Sequence, residues 1–351
     1  MNSTNVSSNA STTVSSAAPA SEVKIGRSLY TQTTCFVIAT MAFLGNLLVI
    51  LLILVKKGKF LKKSYNILIL SLAMSDILTA LMLVTNPALV LGDAFPYPNN
   101  HVLGDVFCRV IWSRTFLFQL LVFSAYICVA LATERWFAVV KPQQYNQVFN
   151  KKRTLVYIFL VWLWSVILCA SSSFQLSYIS SNPPNSRCKW NFGSATQTVR
   201  IIIAVIQTFF KMVFPCLTML FLFIHMVYKA SKSTVTSVES KAKLRGKITR
   251  MVGAASLALI ICFAPSQINY TLAVAGKTRL DNTVHHVLSL LALVNSCLNP
   301  FIYGLSNKNY RQGYQQILLS LYPWCIKRHG NRVVSRPISR RTDLTRPGTS
   351  S

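Results

Sequence analysis

One carboxylate in this chain stands where water should be absent. Asp76 ends the run Leu72-Ala73-Met74-Ser75-Asp76, inside a long apolar stretch. An ionised carboxylate at the centre of a bilayer costs roughly 2.5–3.5 kcal/mol on insertion scales. It must therefore face a bundle interior and have partners there. Asn46, Ser124, Asn295, Ser296 and Asn299 lie in other apolar stretches and are the candidates. Their oxygens, with those of Asp76, form a donor set that suits a hard cation such as Na+. The same side chains serve equally as a hydrogen-bonded cluster around a protonated acid.

Three further groups could do chemistry. Glu134-Arg135-Trp136 closes an apolar stretch, where adjacent opposite charges neutralise each other, or where Arg and an aromatic anchor a helix at the lipid interface. Asn299-Pro300-Phe301-Ile302-Tyr303 carries a proline that removes a backbone donor and kinks a helix. Its Asn can bond freed backbone, and its Tyr hydroxyl can reach polar groups or water. The third group is basic and polar: Arg114, Lys211, Gln207, Gln267, Asn269, Tyr270, His285 and His286. A lysine in a membrane span is costly unless it faces water or an anion, or snorkels to the interface. Enzyme chemistry finds no footing. No H-E-x-x-H, no paired Asp in neighbouring spans and no suitable G-x-S-x-G occurs, and no C-x-x-C pair suggests a zinc or redox site.

The elements that position these residues follow from hydropathy. The chain has 351 residues, 52% hydrophobic and 13% charged, with mean hydropathy +0.44. A soluble domain carries about 25% charged residues. Seven apolar segments, near 30–55, 66–91, 107–139, 154–175, 199–229, 246–275 and 283–305, each supply the roughly 20 residues that cross a bilayer. Without water each must be helical, which predicts an all-α seven-helix membrane bundle over 30–305. Asn307–Leu321 is shorter and amphipathic and predicts a helix on the membrane surface, domain 306–321.

The net charge is +28. Most of the basic residues fall in alternate loops: Lys56–Lys63, Lys141–Arg153, Lys229–Arg250 and the tail after Lys308. This is the positive-inside pattern for a chain with its N-terminus outside and C-terminus in the cytoplasm. The charge thus needs no nucleic acid to explain it. Residues 1–29 are Ser/Thr/Asn-rich, too poor in large apolar residues to fold. Sequons at Asn2, Asn5 and Asn9 predict an extracellular glycosylated tail. Residues 322–351 form a basic disordered tail, with Cys325 a juxtamembrane palmitoylation candidate. Its serines and threonines are candidate kinase sites. An odd span count without internal repeat weighs against a transporter, and no selectivity-filter-like loop suggests a channel.

Taken together, Gly45-Asn46, Leu72–Asp76, Glu134-Arg135-Trp136, Trp162, Pro215, Cys262-Phe263-Ala264-Pro265 and Asn299–Tyr303 resemble the rhodopsin-like (class A) G protein-coupled receptors. The resemblance covers nearly all of 30–321. It implies a plasma-membrane receptor, not an enzyme, whose ligand enters between the outer halves of the helices. Pro265 and Pro300 would supply bends for an outward swing of span six, and Arg135 would be freed to meet a Gα subunit of a heterotrimeric G protein. Na+ at Asp76, Ser124, Asn295, Ser296 and Asn299 would favour the resting state. Arrestin and receptor kinases would act on the tail, and lipid would surround the bundle. Cys108 and Cys188 resemble the family's bridge from span three to the second outer loop. Cys108 lies about two residues further from Arg135 than is usual, which predicts a bulge there.

Three positions depart from the family: Phe263 stands where Trp is common, Phe223 where a Tyr is usual, and Glu134, a mild change, where Asp is commoner. The place of the amine-binding aspartate is Leu117, and that of the retinal lysine is Leu293, which argues against aminergic and light-sensing functions. Leu117 and Phe263 therefore join Arg114, Gln207, Lys211, Gln267, Tyr270 and His286 as candidate ligand residues. Glu134–Val140 resembles neuropeptide receptors, and Phe263–Ala275 with Asn295–Leu319 resembles melatonin receptors. The basic outer half favours a ligand with a carboxylate or several carbonyls, most simply a peptide.

Overall fold

A computed structural model describes residues 29–55, 61, 63–91, 98–180, 182, 187–190, 196–231, 239–280 and 282–320. The sequons at Asn2, Asn5 and Asn9, Cys325 and the tail serines and threonines lie outside the described residues.

Among the described residues seven helices are long and apolar enough to cross a membrane. Span one is Leu29–Val55, span two Ser64–Thr85, span three His101–Val140 and span four Lys151–Ser173. Span five runs from Gln197–Thr208 through Phe209–Val213 to Phe214–Ser231. Span six is Glu239–Val274 and span seven Thr283–Ser306. The surface helix follows as Lys308–Ser320. Two boundaries differ from expectation for local reasons. Span three starts at His101 rather than 107, because the Asn100 side chain accepts from the Val102 and Leu103 amides and caps the helix there. Span six starts at Glu239 rather than 246, since a charged helical extension needs no lipid cover.

Span three is the hub. Of its most apolar stretch 72% is buried, against 22% for spans four and five, and it packs against spans two, four, five and six. Spans one and seven pack on each other and on the surface helix. Among the described residues buried apolar side chains form two large clusters and a small one around the Cys108–Cys188 bridge. One large cluster holds Val49, Leu52, Leu72, Leu131, Met251 and Tyr303. The other large cluster holds Ala42, Ala80, Leu117, Phe263 and Leu293. Asp76, between Ala73 of the first and Ala80 of the second, lies where they meet.

Among the described residues π-turns follow span two at Pro87–Leu91, after the extended Asn86, and interrupt spans three and five at Phe107–Trp112 and Phe209–Val213. The second, followed by Arg114 in the left-handed region (φ 58°), takes up the surplus length expected above span three. Between spans four and five, β1 (Leu176–Tyr178) pairs antiparallel with β2 (Cys188–Trp190), with Tyr178 opposite Cys188. A disulfide joins Cys108 to Cys188, with 5.4 Å between their Cα atoms. Tyr178 lies flat on Gly104, where a Cβ would stand 2.2 Å from its ring. The Asp105 carboxylate accepts from the Tyr178 amide at 2.8 Å, so the hairpin is fastened to span three twice.

Candidate functional site

The acid centre is completely enclosed. Asp76 and Asn46 are both 0% exposed. Asn299 Nδ2 donates to Asp76 Oδ2 at 2.9 Å, which ties spans two and seven. The Ser296 hydroxyl faces the same carboxylate outside hydrogen-bond geometry. Ser124 is one step removed: its hydroxyl pairs with that of Ser75 at 3.4 Å, between spans two and three. Among the described residues Asp76 Oδ1, Asn295 Oδ1 and Asn46 Oδ1 have no hydrogen-bond partner. Buried polar atoms are normally satisfied. With the Ser296 hydroxyl, which also lacks a partner, these orphaned oxygens are the donor chemistry that a hard cation with its water takes, so the residue types present suit Na+.

Asn46 settles which side chain serves the proline. In an α-helix the Ser296 carbonyl would accept from residue 300, but Pro300 has no N–H. Asn46 Nδ2 donates to that carbonyl at 2.9 Å, and to Ala42 O at 2.8 Å. The neighbouring Gly45 lets the proline ring in, since a Cβ there would stand 2.9 Å from Pro300 Cγ. Gly45-Asn46 is thus shaped to the kink. The expectation that Asn299 bonds freed backbone is corrected: its amide goes to Asp76. The Tyr303 hydroxyl is buried and has no partner among the described residues.

At the end of the bundle opposite the disulfide, Arg135 is locked. Glu134 accepts from both Nε and Nη2 of Arg135, and the guanidinium lies 4.4 Å from the centre of the Tyr65 ring. Tyr145, in the loop between spans three and four, donates to Glu134 Oε1 at 2.5 Å. Burial, then the Glu134 charge, hold its phenol above the ordinary range, so it stays a donor in neutral and mildly basic solution. Trp136 turns to span five, its indole N–H donating to His225 Nδ1 at 2.9 Å. Phe223 packs on Gly253 of span six. Pro265 lies inside span six and deprives the Ile261 carbonyl of its usual donor.

At the disulfide end an open-mouthed cavity encloses about 650 Å³ of empty space. Arg114, Lys211, Gln267 and Tyr270 line it, as do Ser113, Thr115, Phe118, Cys169, Ser266, Leu280 and His285. Among the described residues of the lining there is no acid. Lys211 is 5% exposed and donates to Gln207 Oε1 at 3.2 Å. Arg114 Nη1 has no hydrogen-bond partner among the described residues. Tyr270 donates to Gln175 Oε1 at 3.2 Å. Four ligand candidates do not line the cavity. Gln207 stands behind Lys211, His286 faces elsewhere, and Leu117 and Phe263 are buried in the apolar cluster.

Lys211 owes its position to an irregularity in span five. The Phe214 amide bonds Phe209 O, five residues back. In that register Phe210 O should accept from residue 215, which is Pro215 and has no N–H. The Tyr126 hydroxyl of span three donates to Phe210 O instead, at 2.7 Å. Tyr126 was absent from the candidate set, and His285 was in the basic and polar group but not among the ligand candidates. Pro215 was a usable signal for the first, through the carbonyl it orphans.

The described residues thus form seven apolar helices around a buried acid, with a Glu-Arg pair at one end and a cavity at the other. Residues 45–303 match the model of the 7 transmembrane receptor (rhodopsin family), and the chain belongs to that family. Relatives are the mouse melatonin receptor type 1A (Mus musculus), 27% identical over 79% of this chain and 77% of its own length, and the mouse melatonin receptor type 1B, 27% identical over 83% and 78%. The allatostatin-A receptor of Bombyx mori is 24% identical over 89% of this chain and 84% of its own length.

Proposed function

We propose that this receptor sits in the plasma membrane with its N-terminus outside and passes the binding of a carboxylate-bearing ligand, most simply a short peptide, to heterotrimeric G proteins. The observation that carries the ligand class is the pair of cations, Arg114 and Lys211, in one cavity with no acid among the described residues of its lining. A buried charge is costly unless paired, and an anionic ligand group provides the pairing. The allatostatin-A receptor is a relative in keeping with a peptide ligand. The melatonin receptors support a second reading, a small ligand. Melatonin itself is an uncharged indole amide and would leave both cations without a counter-charge.

Transmission is a shift between two packings. Ligand drawn onto Lys211 pulls on the π-turn of span five and, through Thr208, whose hydroxyl meets that of Thr271 at 2.5 Å, on span six. Span six bends at Pro265 and swings out. Arg135 leaves Glu134 and meets the Gα subunit. Asp76, Asn295, Ser296 and Asn299, with Ser124 behind Ser75, would hold Na+, which supplies the charge that neutralises the carboxylate and favours the resting packing. Orientation is supported by Lys141, Lys151, Lys152 and Arg153 at the end away from the disulfide. Arrestin and receptor kinases would then find the basic tail inside the cell, and glycans the N-terminal sequons outside.

The test is nucleotide exchange on several Gα types, driven by a peptide library in matched free-acid and amide forms. Free acids should be the agonists. Lys211→Ala and Arg114→Ala should each weaken potency about 30-fold or more, since breaking a buried charge pair costs about 2–5 kcal/mol and each 1.4 kcal/mol is tenfold. Unchanged potency in both variants would sink the anion reading.

A further inference from the structure

The two cations of the cavity do not sit together. Arg114, above the straight part of span three, lies near Cys35 of span one and His285 of span seven. Lys211, in the π-turn of span five, lies near Cys169 of span four and bonds Gln207 of its own helix. Spans one and seven pack on each other, and spans four and five both pack on span three, whereas neither of the first pair packs substantially on either of the second. The positive charges therefore stand on different sides of one cavity, Arg114 toward spans one and seven and Lys211 toward span four. Among the described residues the neighbours named for each are neutral: thiol, imidazole or amide.

A single carboxylate carries both oxygens on one carbon and reaches one wall. Such a ligand would leave the other cation buried and uncompensated, which is unfavourable. The mouth repeats the demand. Lys189 on β2 and Lys277 and Arg279 between spans six and seven are exposed and form no ion pair among the described residues. Asp105, the described acid of that end, is already engaged by Arg109 at 3.7 Å and His101 at 3.9 Å. A positive rim over a positive cavity concentrates multiply charged anions more than singly charged ones.

We infer that the ligand carries two acidic groups, one for the Arg114 wall and one for the Lys211 wall. A short peptide meets this when it ends in a free carboxylate and holds an aspartate or glutamate a few residues earlier. The inference rests on reading the cavity as an anion site, and the experiment separates the two.

Full-length receptor in nanodiscs is titrated at constant ionic strength with linear dicarboxylates from succinate to suberate. Monocarboxylates of matching chain length, butyrate to octanoate, serve as comparison. Binding is read as thermal stabilisation against concentration. One dicarboxylate length should bind about tenfold or more tighter than its monocarboxylate match, the worth of one added charge-assisted pair. Lys211→Gln and Arg114→Gln should each erase that advantage while leaving monocarboxylate binding at the surviving wall. Equal binding of mono- and dicarboxylates at every length overturns the two-anion inference and leaves the anion site standing. A dicarboxylate advantage that survives both substitutions overturns it as well, by placing the second anion elsewhere. Failure of every acid to bind the unaltered receptor overturns both.

Discussion

The Tyr126 hydroxyl is the sole donor seen on a carbonyl that the sequence has orphaned, and its removal should be measurable. Tyr126→Phe keeps the ring, and with it the contacts to Trp164 and Phe214, each 6.5 Å between ring centres. The hydrogen bond to Phe210 O is lost, together with the polar contact of the hydroxyl with the Trp164 indole. A buried acceptor left unsatisfied costs about 1–3 kcal/mol in soluble proteins, and single interhelical bonds in membranes average about 0.6 and reach about 1.7 kcal/mol. The expected loss is therefore about 1 kcal/mol, or about 2–4 °C in the unfolding temperature. A thiol-reactive dye reads it well, because Cys35, Cys128, Cys169, Cys262 and Cys297 are buried and react only on unfolding. Pro215→Ala supplies the control. It returns an N–H in register with Phe210 O, so Tyr126→Phe in that background should cost about 0.3 kcal/mol or less, within the scatter of independent sites. An equal loss in both backgrounds would refute the assignment of Tyr126 to the proline's vacant donor, and with it the account of how Lys211 is aimed.

Other outcomes follow from the same geometry. Gly45→Val drives a side chain into Pro300, where even a Cβ would stand 2.9 Å from the ring. It should cost about 1–3 kcal/mol, seen as a lower unfolding temperature and poorer surface expression, with partial rescue by Pro300→Ala. Trp136→Phe removes the donor to His225. If that bond belongs to the resting packing alone, about 0.5–1 kcal/mol is lost from it, and basal nucleotide exchange should rise roughly two- to fivefold. His225→Phe should act alike and add nothing to the first change, whereas additive effects would deny the link. Asp76→Asn should abolish any difference in agonist affinity between sodium chloride and choline chloride, measured by competition binding; a difference that persists would place sodium elsewhere.

The comparison of text and fold turns on what a one-dimensional pattern can encode. The seven spans were legible because a lipid interior enforces about 20 apolar residues and internally bonded backbone on each crossing, whatever the neighbours. Asp76, Lys211 and Arg114 were legible for the converse reason: a charge in such a run demands an explanation. Boundaries set by caps were less so, as Asn100 extended span three to His101.

Partners were decided in three dimensions. His286 looked as good as its neighbour, but one residue turns a helix by about 100°, and His285 alone of the two reaches the cavity lining. Leu117 and Phe263 are sealed into the core because helix rotation, not composition, assigns each face. The sequence by itself determined that this chain crosses lipid seven times with an acid and two cations inside its apolar runs, since burial of charge and backbone polarity is costly enough to leave a mark on residue order. Only the tertiary structure decided that Asn46 and Tyr126 answer for the donors missing at Pro300 and Pro215, and that Arg114 and Lys211 line one cavity. A hydrogen bond or an opposed charge depends on where another helix happens to pack, and that distance is not written along the chain.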